Sequence, residues 1–184
     1  MKKIFAFALL VAALSNTTSA QKYFTKTGYL GIFSKTKQED IKADNSKVTY
    51  VLDAATGQLE ISGLMTAFEF PKALMQEHFN ENYVESEKFP KTTFKGKVEN
   101  MSAVNLTKDG TYKAKVSGDL TLHGLTNKTT VDATFKVVGG KVSAEAVFLV
   151  SCKAFNIVIP DLVKDVISDS IQITAKANLE PLKR

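Results

Sequence analysis

The chain has one cysteine, two histidines and no apolar run long enough to cross a bilayer as a helix. Each shortage excludes something. A lone Cys152 forbids an internal disulfide, so the fold must rest on its apolar core. Two readings of that thiol stay open, a small buried apolar residue or a group that reacts or pairs between chains, with burial the default. His78 and His123 are too few for a histidine-rich zinc site, HExxH is absent, and cysteine ligands are lacking. His78 and Glu81 stand at i, i+3 with Glu77 beside them, which suits capping or surface hydrogen bonding better than a metal. His123 falls in a turn, where a polar side chain needs no further explanation.

Catalytic signatures are missing as well. There is no Gly-x-Ser-x-Gly elbow, no phosphate-cradling loop and no dinucleotide fingerprint. Ser151-Cys152 beside Lys153 has no base or orienting group near it in sequence. The expectation is a protein that is not an enzyme and uses no cofactor and no metal. The formal charge of +5 is spread over the chain without a basic cluster, which argues against nucleic acid.

What is present begins with a short export pattern. Lys2 and Lys3 precede the apolar run Ile4 to Leu14, and the polar stretch Ser15 to Ser19 ends at Ala20. This order predicts a secretory signal peptide over residues 1–20. The run is too short for a spanning helix, which takes about 20 residues, so no stable membrane insertion is expected. Loss of Lys2 and Lys3 lowers the formal charge from +5 to +3. Residues 21–184 are then one domain, free in the periplasm or secreted.

Most of that domain alternates with period two, the mark of half-buried strands. In Thr111 to Leu122 one face carries Tyr112, Ala114, Val116, Gly118, Leu120 and Leu122. After a turn at His123-Gly124, Thr129, Val131, Ala133, Phe135 and Val137 share a face. Gly139-Gly140 then signals a tight hairpin into Val142 to Val150. Ser170 to Glu180 alternates cleanly, and further runs cover Phe94 to Val98, Leu59 to Ala67 and Val48 to Leu52, with a weaker one at Tyr29 to Phe33. Pro71 to Tyr83 interrupts the series with helical spacing, Pro71 suiting a first helical turn. About eight strands joined by short turns predict an all-β antiparallel meander, as barrel or sandwich.

If the sheet closes, its interior is either filled or holds one ligand. The inward faces are rich in small residues, among them Gly63, Gly96, Ala114, Gly118, Ala133, Ala144, Ala146 and Ala175. Those residues either leave volume or let strands pack closely around Phe94, Phe135 and Phe148. In the first case Phe94, Val116, Leu120, Val131, Ala133, Phe135, Ala146, Phe148, Ile171 and Ile173 are the candidate walls of an apolar cavity. Phe68, Phe70, Leu74, Met75 and Phe79 would then stand at its mouth, and with Phe89 they otherwise pack under the helix. Val147 and Leu149 face outward and are candidates for a homodimer contact.

Several ordered segments carry a resemblance. Lys88-Phe89-Pro90-Lys91-Thr92-Thr93-Phe94 resembles the K-[FY]-P-x-x-[TS]-F segment of the YceI-like family of periplasmic proteins that bind lipids or polyisoprenoids. Val116 to Thr126 resembles that family's G-x-L-T-[LI]-x-G-[VT]-T hairpin, Met75 to Phe79 its x-x-H-[FL] turn, and Phe155-Asn156-Ile157 its F-x-I. The agreement covers roughly residues 56 to 180. It implies an eight-stranded lipocalin-like barrel with a short helix in one connection, holding an isoprenoid-like lipid without catalysis. The chain departs from the pattern at Gln21 to Asp44 and Ile159 to Asp169, two regions placed to line or gate a mouth. The competing reading of the same fold is a filled core whose outer face or helix recognises another envelope protein.

Overall fold

The computed structural model describes residues 21–182, so the expected signal peptide lies outside the described residues. Eight antiparallel strands form a closed barrel in chain order: β1 (Lys22–Lys35), β2 (Asp40–Asp53), β3 (Gln58–Leu64), β4 (Lys91–Val98), β5 (Gly110–Leu122), β6 (Leu125–Val138), β7 (Lys141–Ser151) and β8 (Ser170–Pro181). Period two left barrel and sandwich open. The pairing of the first strand with the last decides it, with Ile32 opposite Ile173 and Tyr23 opposite Pro181. Among the described residues no helix is long and apolar enough to cross a membrane.

The hairpins follow their turn chemistry. His123-Gly124 and Gly139-Gly140 all have positive φ, as a two-residue turn matched to strand twist requires. The strand expected over Leu59 to Ala67 ends at Leu64, because Met65–Ala67 coil into a 3-10 turn that buries Met65. The helix is shorter than Pro71 to Tyr83. Pro71 lies outside it, α1 covers Ala73–His78, and Phe79–Tyr83 continue as a π turn.

β1 and β2 each run to 14 residues, well beyond the short runs expected there. Two features hide them. The β1–β2 register shifts on both sides of Gly28, which breaks the alternation. A Cβ at Gly28 would sit 2.3 Å from the Tyr50 ring, so only glycine admits that ring. In β2 the inward series includes Asn45, fully buried yet satisfied: its Nδ2 donates to Leu64 O and its Oδ1 accepts from Lys47 N.

The two ends of the barrel differ. At one end the connection Glu99 to Asp109 inserts Val104 and Leu106 among Leu52, Leu59, Val98, Val137, Val142 and Leu179, all buried. This end is filled. The other end carries the long connections, residues 65–90 and 152–169, which form two small separate clusters, one around Met65, Phe68 and Val84 and one around Val150, Cys152, Phe155 and Ile157.

Candidate functional site

Between those clusters and the filled end lies a cavity of about 400 Å³, within the size range of ligand-binding cavities. Its floor is Phe135, Leu59 and Leu179, and its walls are inward residues of the strands. Phe94, Val116, Leu120, Val131, Ala133, Phe135, Ala146, Phe148, Ile171 and Ile173 all line it. So do Phe68, Phe70, Met75 and Phe79 at the mouth, where Phe79 packs against Phe68 and Phe70 with ring centroids 5.6 and 5.0 Å apart. Leu74 does not: it is 60% exposed and faces away, because neighbours on a short helix cannot all face one side.

The small inward residues divide between two roles. Ala133, Ala144, Ala146 and Ala175 border the cavity. Gly96 and Gly118 do not make room for a ligand. A Cβ on Gly118 would lie 2.4 Å from the Gly96 Cα, and one on Gly96 would lie 2.6 Å from the Phe94 ring. Those two glycines let β4 and β5 cross under that ring.

Both departures from the family pattern contribute to the rim. Ile32, Ser34, Glu39 and Ile41 line it from the first hairpin; Ile159, Val163, Val166 and Ile167 line it from the β7–β8 connection. The two are tied together, since Ser168 N donates to the Ser34 hydroxyl at 2.9 Å. Polar groups in the wall are mostly engaged. The Tyr50 hydroxyl donates to Tyr29 O at 2.8 Å, and burial pushes its pKa far above the usual range. Thr92 donates to Thr121 O. Cys152 is buried, and burial, helped by Asp169, pushes its thiol up to about 11. Burial, then Cys152, also raises the Tyr83 phenol. His78 stands exposed at the mouth.

His123 does more than its place in a turn implies. Its Nδ1 lies 2.9 Å from Phe155 O and its Nε2 lies 2.9 Å from Glu85 Oε2. Both partners are acceptors, so a ring carrying two protons donates to both. Phe89 packs edge-on against the same ring at 4.8 Å. Hydrogen bonds from Lys88 and then His123 hold the Glu85 carboxyl below the usual carboxylate range. Among the described residues, Glu85, His123 and Asn156 are the non-glycine residues with positive φ, at 44°, 50° and 54°, and they meet at this knot. Strained backbone persists where surrounding contacts over-determine it. Here those contacts tie three rim connections together. Nothing local in the sequence signals it, because the partners are 38 and 32 residues away.

The chain is similar in sequence to the YceI-like domain, whose family model matches residues 12–179. No curated protein matches it. Its fold is shared by several solved structures, three of which follow. A polyisoprenoid-binding domain from Saccharophagus degradans has a TM-score of 0.76 at 11% identity, covering 88% of this chain and 98% of that one. BcnA from Burkholderia cenocepacia has a TM-score of 0.67 at 18% identity, covering 83% and 94%. The YceI protein of Campylobacter jejuni has a TM-score of 0.63 at 17% identity, covering 82% and 90%.

Proposed function

The chain belongs to the YceI-like family, and from that premise we propose that it is an exported, non-catalytic carrier of a long-chain apolar or amphiphilic molecule, polyisoprenoid-like, held in the open half of the barrel. The observation that carries this reading is the cavity itself, about 400 Å³ walled almost wholly by aliphatic and aromatic side chains. Burying a methylene contributes about 0.8 kcal/mol, so roughly ten of them supply about 8 kcal/mol before ordering costs. The wall from Phe94 to Ile173 named above grips the chain, and Phe68, Phe70, Met75 and Phe79 form its mouth. Glu39 and His78 are polar side chains at the mouth that suit a head group; Glu39 also pairs with Lys72 at 2.6 Å.

Two further observations support a binding role without chemistry. The Cys152 thiol, raised to about 11, is a poor nucleophile at neutral pH. The similar Saccharophagus domain is described as polyisoprenoid-binding. Export is supported by the Lys2-Lys3 and Ile4 to Leu14 pattern. The rival with a filled core and a protein partner suits the filled end, but the cavity counts against it at the other.

Native mass spectrometry of residues 21–184, recovered from the exported fraction, tests the proposal. A stoichiometric adduct that extracts as an isoprenoid or fatty compound is expected. A bare polypeptide mass, repeated after incubation with mixed lipids, would refute it.

A further inference from the structure

The barrel wall parts between β6 and β7. β6 pairs with β5 along its length, and β7 pairs with β8 as far as Ser151 opposite Ser170. Between β6 and β7 the ladder stops at Ala133 opposite Ala146. Lys128 to Asp132 and Val147 to Ser151 therefore have no partner across that seam, and backbone groups on both edges face a gap. Five residues of strand make it roughly 16 Å tall.

The gap is framed on its short sides. The Ala133–Ala146 pair bounds it toward the filled end. At the rim, Asn127 Nδ2 donates to Ala154 O at 2.7 Å, within a 3-10 turn (Lys153–Phe155) that touches both strands. The corresponding break along β2 is patched: Asp44 and Glu69 exchange two backbone hydrogen bonds, and Asn45 reaches Leu64 O. Among the described residues no such patch crosses from β6 to β7.

Sequence explains why the ladder stops. Carried on from Ala133–Ala146, the register sets Asp132 opposite Val147 and Thr130 opposite Leu149. A polar side chain facing an apolar one adds little cross-strand stabilisation. Inside, Thr129, Val131, Phe148 and Val150 are cavity wall. Burial on the inner face of β6 falls as the gap begins: Phe135 and Ala133 are buried, Val131 and Thr129 only half-buried. Outside, Val147 and Leu149 are 51% and 68% exposed. An apolar strip thus runs from the outer surface, past the gap, into an apolar cavity.

We propose that this gap is a side window through which a flexible hydrocarbon chain slides between the cavity and the outside, with Val147 and Leu149 as its sill. The inference rests on the carrier reading. A chain longer than the cavity leaves its remainder in the window, against those two side chains.

The test joins the window's edges with a Thr130→Cys/Leu149→Cys pair, its disulfide confirmed by peptide mapping. Loading is followed with dansyl-labelled geranylgeraniol in phosphatidylcholine vesicles. The oxidised form should reach the same final occupancy as the reduced form, but at least about ten-fold more slowly. Leu149→Lys gives an independent reading if the pair does not oxidise: a charged sill should slow loading several-fold at unchanged occupancy. Equal rates in oxidised and reduced forms, or a Leu149→Lys rate equal to wild type, overturn the window and leave the carrier reading standing. So does a dimer in sedimentation that shields the thiol of a Leu149→Cys variant from labelling. A wild type that takes up no probe overturns the carrier reading and the window with it.

Discussion

The filled and open ends of the barrel are built from the same strands yet behave as different materials. Along β8, Leu179, Ala177 and Ala175 are buried, whereas Ile173 and Ile171 a few residues away are only half-buried. β6 repeats the contrast, from buried Val137 to half-buried Val131. The alternation is unchanged along both strands, so side-chain polarity does not make the difference. The connections do. One end receives Val104 and Leu106 from a loop folded inward, which completes a close-packed core. At the other, the long connections lean on one another around the rim and leave the axis clear. Stability is concentrated where the loops enter, and room for a guest where they stand aside.

Truncation should expose that contrast most strongly. Leu52→Ala, at a fully buried site of the filled end, should cost about 2–5 kcal/mol in urea unfolding, with Ile173→Ala costing less than half as much. Equal costs would mean the open end is as tightly packed as the filled one. Next in size is the rim knot. His123→Ala leaves the Phe155 carbonyl without its partner and the Glu85 carboxylate held by Lys88 alone, and should cost about 1–3 kcal/mol. An unchanged urea midpoint would show that the rim connections hold themselves.

Filling the cavity separates the ends in the other direction. Ala146→Phe should weaken binding of the dansyl isoprenoid about ten-fold or more, close to 1.4 kcal/mol, while leaving the melting temperature level or slightly raised. Retained affinity would place the guest elsewhere. Gly118→Leu is no substitute, since its side chain meets backbone and should break the barrel. The smallest effect is confined to alkaline solution. Cys152 titrates at about 11 in the folded protein against an ordinary value near 9, so the folded state holds its proton more tightly. Its contribution is intact below pH 9 and is lost as pH rises to 11. The melting temperature of wild type should fall relative to Cys152→Ala across that window, and parallel curves would mean the rim beside Cys152 is wet.

Legibility in the sequence followed local regularity. β5 to β8 read clearly because their inward series is apolar apart from Thr129 at the open end of β6, and the turns into β6 and β7 are marked by His123-Gly124 and Gly139-Gly140. β1 and the first half of β2 were nearly invisible, since a bulge at Gly28 and a buried, hydrogen-bonded Asn45 each break a rule that holds elsewhere. The wall positions of the cavity could be named from alternation, as Val131, Phe148 and Ile173 were. Whether they enclosed space could not, because Gly96 and Ala146 look alike as small inward residues while one lies under the Phe94 ring and the other borders the void. The knot of Glu85, His123 and Phe155 joins three connections that only the closed barrel brings together.

The pairing of β1 with β8 has a consequence for how the chain folds. The seven other seams join neighbours in sequence, but this one joins the two strands farthest apart, and Leu182 N reaches Lys22 O at 2.7 Å to complete it. Every hairpin can form from nearby residues, whereas closure waits for both ends of the domain and carries the largest loop-closure entropy. Folding should therefore be slow for a domain of this size, with an intermediate whose β1 and β8 edges are bare and ready to pair with another chain. A chain held unfolded until its last strand is available avoids that intermediate.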